Sequence, residues 1–402
     1  MGILFCFSLA KRKGVEDLFS IHLIIQTCIR HKISKSEKAS FAQRAVRVVT
    51  GAVCKLSSEP QRDWTTSQQL LSHARSCERF LDDSPLSVPD IRGTRALFRL
   101  GEFCNQFGLH DQAIRWFNRD LHATPPPSEL QSLVDRDGIA TAKLQKGELR
   151  EALTDFKGLY DEARKNLTEG HELTNKIVNS LGMTYKKLDQ LKDALEHYET
   201  ALSVARIRFG EQGKKTLMTL NNIAVIRKEQ KEYRIALEIY EDVLRKKEET
   251  LGKEDLSTLE TVMNVGVVYT HLEQLDKALF FLGRALSGRE KYLGKENTKT
   301  LDAKGNIANV YFKSGQLDKA IDWYKEVYNG YKRACGSDHY AVFTSADNLG
   351  EVYCKKGMYD ESLRWYLEAL SGRTRVLGEK HQKALETAAK MAYVFQLQNQ
   401  FC

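Results

Sequence analysis

Leu181-Gly182-Met183-Thr184-Tyr185, within the stretch Leu173 to Leu251, recurs 42 residues on as Ile223-Ala224-Val225-Ile226-Arg227. The same phrase returns as Val265-Gly266-Val267-Val268-Tyr269, as Ile307-Ala308-Asn309-Val310-Tyr311 and as Leu349-Gly350-Glu351-Val352-Tyr353. A second column keeps the step: Ala194, Ala236, Ala278, Ala320 and Ser362. A third is glycine, at Gly210, Gly252, Gly294, Gly336 and Gly378. A fixed period of this size, held without slippage, is the signature of a solenoid of stacked units.

The physical content of one unit is a pair of helices. Leu217, Leu220, Ile223 and Ala224 share one helical face, and Tyr233, Ala236, Leu237, Tyr240, Val243 and Leu244 share another. The small residues of the first two columns let the paired helices approach closely. The glycine column predicts a left-handed residue at a helix C-terminus, and Asp255 and Asn297, three residues later, predict N-caps for the next helix. One such pair buries too few large side chains to offset the ordering of its own backbone. Neighbouring units supply the rest, so the array is expected to be cooperative.

Composition agrees with a helical array. All six prolines lie at or before Pro127, and proline breaks helix interiors. The net charge of +8 is uneven: residues 1–80 hold 13 Lys and Arg against 6 Asp and Glu, leaving the remainder nearly neutral. A long basic nucleic-acid groove is therefore not expected. The eight cysteines are scattered and contain no CxxC pair, which reads as free thiols in a reducing compartment. Ile3 to Ala10 is apolar but too short to span a bilayer, and Lys11-Arg12-Lys13 follows rather than precedes it, unlike a signal peptide. The expectation is a cytoplasmic protein with no membrane contact.

From the N-terminus, an apolar strand-like run, a charged turn from Lys11 to Asp17 and the segment Phe19 to Gln26 predict a small hairpin before a helix near His22. Further helices are expected over Ser36 to Val53 and near Trp64 to Leu81. Phe19-Ser20-Ile21-His22-Leu23-Ile24-Ile25-Gln26, Ile29-Arg30 and the later Trp64…Leu70-Leu71-Ser72-His73-Ala74 resemble the junction that follows the winged-helix region of fungal NB-ARC-type STAND ATPases. Cys28 departs from the usual Trp of that text and Ser72 from the usual Pro. The resemblance implies the C-terminal, sensor part of such a protein, or a shortened relative.

Asp82 to Pro89 reads as a linker. Gly101, Gly108, Ala113, Phe117 and Leu121 make one divergent helical pair, and Ala140, Gly147, Ala152 and Phe156 the next. The 42-residue columns, with phrases such as Leu220-Asn221-Asn222-Ile223-Ala224 and Tyr240-Glu241-Asp242-Val243-Leu244, resemble the long tetratricopeptide repeats of kinesin light chains. The implied fold class is all-α, a tetratricopeptide right-handed superhelix with a small winged-helix-like remnant at the N-terminus. The expected divisions are 1–81 for the remnant and linking helices, 94–164 for two divergent units, and 174–402 for five regular units plus a terminal helix. That helix, Leu385 to Phe401, matches only the first half of a unit.

No constellation for catalysis, metal or cofactor is present. Gly288 to Glu296 approaches a phosphate loop but has one residue too many and Glu where the hydroxyl belongs. His171, His339 and His381 share a repeat column, which puts them on different units and predicts a helix-start or loop role rather than one metal site. Tyr185, Tyr269, Tyr311, Tyr353 and Phe395 share another and predict core.

The function that follows is a scaffold holding a protein or peptide ligand on the concave face of the array. The sensor half of a STAND-type protein is one version, and a kinesin-light-chain-like cargo adaptor the alternative, although no heptad coiled coil precedes the repeats. A winged-helix nucleic-acid binder rests only on the basic N-terminal part. Asn222, Asn264, Asn306 and Asn348 form a column one residue before the apolar seam, and an amide ladder suits an extended main chain. Asn221, Val225 and Lys228 in one unit, with Asp302, Asn309 and Lys313 in another, are expected on the same side. The competing role for these asparagines is to bond neighbouring helices.

Overall fold

The computed structural model describes residues 10–13, 18–21, 95–122, 127–168 and 170–400. Strands β1 (Ala10–Lys13) and β2 (Leu18–Ile21) pair antiparallel, with Ala10 opposite Ile21 and Lys13 opposite Leu18. The expected hairpin is there, but Lys11, Arg12 and Lys13 belong to its first strand rather than to the turn. The helices expected near His22, over Ser36 to Val53 and near Trp64 lie outside the described residues.

All other regular structure among the described residues is helical. The divergent part contains α1 (Ala96–Gln106), α2 (His110–Leu121), α3 (Glu129–Lys146) and α4 (Leu149–Asn166). First helices of the regular units are α5 (Glu172–Lys187), α7 (Lys214–Glu229), α9 (Leu256–His271), α11 (Thr298–Lys313) and α13 (Tyr340–Lys355). Second helices are α6 (Leu191–Phe209), α8 (Tyr233–Leu251), α10 (Leu275–Leu293), α12 (Leu317–Cys335) and α14 (Tyr359–Leu377). Helix α15 (Gln382–Gln400) ends the chain. Every boundary in the array repeats at the 42-residue step of the sequence. The chain divides into two compact units, Met1–Leu188 and Asp189–Cys402.

Within the first unit, Gly101 and Gly138 both lie against the Phe117 ring, where an added Cβ would come within 2.6 and 2.8 Å of it. Ala113, Ala140, Ala152 and Phe156 are fully buried, as the two divergent pairs require. The core also takes in charge. Asp135 on α3 and Asp120 on α2 are buried, and the Gln131 amide donates to both, at 3.0 and 3.3 Å. Burial, and then the Asp120 carboxylate, push the Asp135 carboxyl up to about 7.

Within the second unit each helix packs on the one before and the one after. The predicted face of α7 is buried at Leu217, Leu220, Ile223 and Ala224, and that of α8 at Ala236, Tyr240, Val243 and Leu244, while Tyr233 and Leu237 are partly buried. The alanine column is fully buried, and its one exception, Ser362, donates its hydroxyl to the Gly350 carbonyl at 2.7 Å. Gly266 and Gly350 face Leu282 and Tyr366, and a Cβ at either would stand within 3 Å of those side chains.

Caps follow the columns. Asp255 and Asn297 accept backbone N–H groups as expected, at 2.8 and 3.0 Å. His171, His339 and His381 do the same with ring Nδ1, at 3.2 to 3.3 Å, so this histidine column is a set of helix starts. The glycine column has positive φ, but ψ is 155 to 175°, extended rather than left-handed helical. That region is open essentially to glycine alone. A further positive-φ column closes the first helices: Asp189, Lys231, Glu273, Gly315 and Gly357, with φ of 59 to 79°. Only two of its five members are glycine, which hides it in the sequence.

Buried cations tie successive units together. Lys247, Arg289 and Arg373, at one position of the second helices, donate to the carbonyls of Ser257, Lys299 and Lys383, each ten residues on, at 3.1, 2.7 and 3.3 Å. Tyr331 holds that position in α12.

The aromatic column is core where a second helix covers it. Tyr185, Tyr269 and Tyr353 are buried and Tyr311 partly so, but Phe395 on α15 is 56% exposed. Leu385, on the same helix, is exposed for the same reason: no second helix lies over that face among the described residues.

Candidate functional site

Residues three and four apart on a helix stand on one side of it, and three consecutive first helices turn such sides toward one concavity. Helix α9 contributes Val267, Thr270 and His271, and α11 contributes Asn306, Asn309, Phe312 and Lys313. Asn348 and Glu351 come from α13, and Tyr324 from α12 closes the floor of a hollow of about 300 Å³. A second hollow of about 280 Å³ shares Asn306, Asn309, Tyr324 and Asn348 and runs on to Asp302, Tyr331 and Tyr340.

The polar groups here divide into those already engaged and those that are not. Asn309 Oδ1 accepts the Tyr324 hydroxyl. Lys313 Nζ donates to the Thr270 carbonyl at 3.3 Å. Lys187 and Lys355, in the same column, do this to Leu144 and Phe312, at 3.3 and 3.5 Å. These lysines therefore satisfy the terminal carbonyls of the preceding first helix, where a cation also suits the helix dipole. Asn306 and Asn348, by contrast, are half-buried and have no hydrogen-bond partner among the described residues. Each amide offers two donors and an acceptor to a ligand.

Charge in the hollow is nearly balanced. Lys313 and Glu351 are the ionised groups of the lining. His271 stacks on Tyr233 with ring centroids 4.7 Å apart. Burial, and then the nearby charges of Lys313 and Lys228, lower its pKa, so the imidazole is neutral at pH 7. Burial, with Glu351 adding to it, pushes the Tyr324 hydroxyl up, which keeps it a donor. This is a surface for hydrogen bonding and apolar contact; among the described residues no group of metal-ligating side chains occurs.

The structure brings together some of the residues expected from the sequence and separates others. Asn306, Asn309, Lys313 and Asn348 line the first hollow, and Asp302 the second. Asn222 and Asn264 hold the same column as Asn306 but lie outside both hollows. Asn221 Oδ1 accepts the Thr261 hydroxyl at 3.4 Å, a helix-to-helix bond. Val225 packs on the core around Tyr240 and Leu282. Lys228 pairs with Glu229 at 3.2 Å. Lys228 and Lys313 are not equivalents: the 42-residue step carries Lys228 onto Thr270, and Lys313 back onto His271. Carrying every column across all units adds Val267, Thr270, His271, Phe312 and Glu351, which with Tyr324 of α12 complete the lining.

The sequence profile of the tetratricopeptide repeat family matches residues 173–249, 256–333 and 341–401, more than half of the chain. The chain belongs to the tetratricopeptide-repeat family. Among curated proteins none matches the sequence. Solved structures share the fold of this repeat protein at low identity. A STAND protein with a tetratricopeptide repeat sensor from Pyrococcus horikoshii is 14% identical, with a TM-score of 0.57, over 98% of this chain and 54% of that one. This chain thus spans about half the length of that protein. A Rap protein complexed with Competence and Sporulation Factor is 12% identical, with a TM-score of 0.53, over 89% of this chain and 99% of that one. A kinesin-light-chain-like protein of Podosopora anserina is 18% identical, with a TM-score of 0.44, over 52% of this chain and 98% of that one. Membership of the tetratricopeptide-repeat family makes this chain a scaffold of the kind typical of protein–protein interaction. Among the described residues no helix is long and apolar enough to cross a membrane.

Proposed function

We propose that this repeat protein holds an extended peptide, or an extended segment of a protein partner, across the first helices α9, α11 and α13. One observation carries the reading: Asn306 and Asn348, in successive units, present unengaged amides to the same concave surface. Amides at one position of successive units meet a main chain without demanding a particular sequence, and Val267 and Phe312 add apolar contact beside them. The repeat protein acts as a non-catalytic, cytoplasmic binding scaffold; neutral surroundings and a single pair of opposite charges suit a peptide better than a nucleic-acid backbone. The resemblance of Phe19 to Arg30 and of Trp64 to Ala74 to STAND junctions supports the sensor role over that of a cargo adaptor.

The test is selection of random-sequence octapeptides on the full chain, followed by affinity measurement on Asn306→Ala/Asn348→Ala. Two lost hydrogen bonds at about 1 kcal/mol each weaken binding by roughly ten- to thirtyfold. Affinity unchanged in the double variant contradicts the assignment.

A further inference from the structure

Tyr331 stands where three other units carry Lys247, Arg289 and Arg373, and the first regular unit Ala205. Those three cations donate onward to the next first helix. Tyr331 turns back to its own unit, donating to the Thr298 carbonyl at 3.2 Å and to Asp302 Oδ1. The exchange leaves the Asp302 carboxylate, exposed on α11, with a hydroxyl and no salt bridge to any described residue.

The charges nearby are committed elsewhere. Arg289 is buried and bonded to the Lys299 carbonyl and Met263 Sδ, at 2.7 and 2.9 Å. Lys304, two residues along α11, is buried and pairs with Glu290 at 3.3 Å and with Glu326. His339 stacks on Tyr331, with ring centroids 5.8 Å apart and planes 14° apart, and its Nδ1 accepts the Ala341 N–H. Burial lowers its pKa, so it supplies no charge at neutral pH. Tyr340, 4.5 Å from the His339 ring, is 71% exposed. The second hollow therefore has tyrosine rings on its walls and one carboxylate as its only charged lining residue.

We propose that this hollow is a subsite for one cationic side chain of the ligand, a guanidinium or an ammonium on its methylene stem. The charge rests on the free oxygen of Asp302, and the stem or plane lies against Tyr331 and Tyr340, an arrangement that combines an ion pair with cation–π contact. An acidic side chain would meet Asp302 with like charge. An apolar one would cover the carboxylate and leave it unpaired. The subsite rests on the groove reading, because Asn306, Asn309 and Asn348 line both hollows and set where the ligand's main chain runs.

Random octapeptides selected on the full chain test this, with N-acetyl-arginine amide as a direct probe. Expected are enrichment of Arg or Lys at one peptide position on the wild type, an affinity loss of about tenfold on Asp302→Asn, and a switch to Asp or Glu on Asp302→Lys. N-acetyl-arginine amide shifts the Tyr340 ring signals in NMR, and Asp302→Asn abolishes the shift, whereas N-acetyl-glutamate amide leaves them in place. Peptides that depend on Asn306 and Asn348 but show no preference for a cation overturn the subsite and leave the groove standing. Arginine amide bound at Tyr340, with peptide affinity indifferent to the two asparagines, supports the subsite and overturns the groove. Arginine amide that binds wild type and Asp302→Asn alike, or neither, overturns the subsite.

Discussion

The regular array and the divergent N-terminal units bury charge in opposite ways. In the array, Lys247, Arg289 and Arg373 reach the same carbonyl of the next helix each time, because a constant step keeps presenting it. In the divergent pairs no such column exists. There Asp135 and Asp120 face each other with one glutamine amide between them, and Asp135 Oδ2 has no partner. Repetition makes a buried cation satisfiable by construction. At Asp135, where the repeat lapses, burial and the neighbouring Asp120 carboxylate raise the pKa to about 7 instead.

Three consequences separate the two regions, beginning with the largest. Arg373 also bonds Asp347 at 3.2 Å, and both side chains are largely buried. Asp347 keeps Lys390 at 2.8 Å and Thr387 at 3.0 Å. The Lys383 carbonyl, however, loses its buried donor and the arginine stem its packing, so Arg373→Ala should cost about 3 kcal/mol. Thermal unfolding of the full chain measures it, and a loss below about 1 kcal/mol would place this arginine among surface charges. Asp135 acts with the opposite sign. Its folded-state pKa of about 7 lies above the ordinary carboxylate value, so the folded state holds a proton that the unfolded chain releases. Stability is fully present below about pH 4 and is lost as pH climbs through about 7. Asp135→Asn should therefore raise stability at pH 8 by about 2–3 kcal/mol relative to its effect at pH 4. Equal melting shifts at the two pH values would show that the pair shares no proton. Ala278→Leu should follow, since a fully buried column with no room for three more carbons costs about 2 kcal/mol to overpack.

Smaller effects sharpen the comparison inside the array. Glu273 and Lys231 hold positive φ where later units use Gly315 and Gly357. Glu273→Gly should relieve backbone strain of about 1 kcal/mol, part of which returns as unfolded-chain entropy. A melting temperature lowered by this change would mean that the Glu side chain contributes more than its backbone costs.

The 42-residue step was legible, and with it both helices of each unit, the small columns and the caps at Asp255 and Asn297. Those features repeat because sterics and backbone bonding are local demands that each unit must meet. The buried cations were not legible, since Lys and Arg on an amphipathic helix read as solvated until the next unit's carbonyl is in place. The positive-φ column was masked by Asp189, Lys231 and Glu273. At the site, the asparagine column was visible, but its members are not equal in space: Asn306 and Asn348 line the hollow while Asn222 and Asn264 do not. Side-chain identity defines the column, whereas which of its members share a hollow depends on residues of three successive first helices at once.

Asn306→Ala/Asn348→Ala carries the central claim most directly. These amides bond no described residue, so their loss should leave the melting temperature of the full chain within about 2 °C of wild type. Peptides selected on the wild type should bind the variant ten- to thirtyfold more weakly, as about 1 kcal/mol per lost bond implies. A melting temperature lowered by many degrees, with affinity per folded molecule unchanged, would contradict the account and make the asparagines part of the stack.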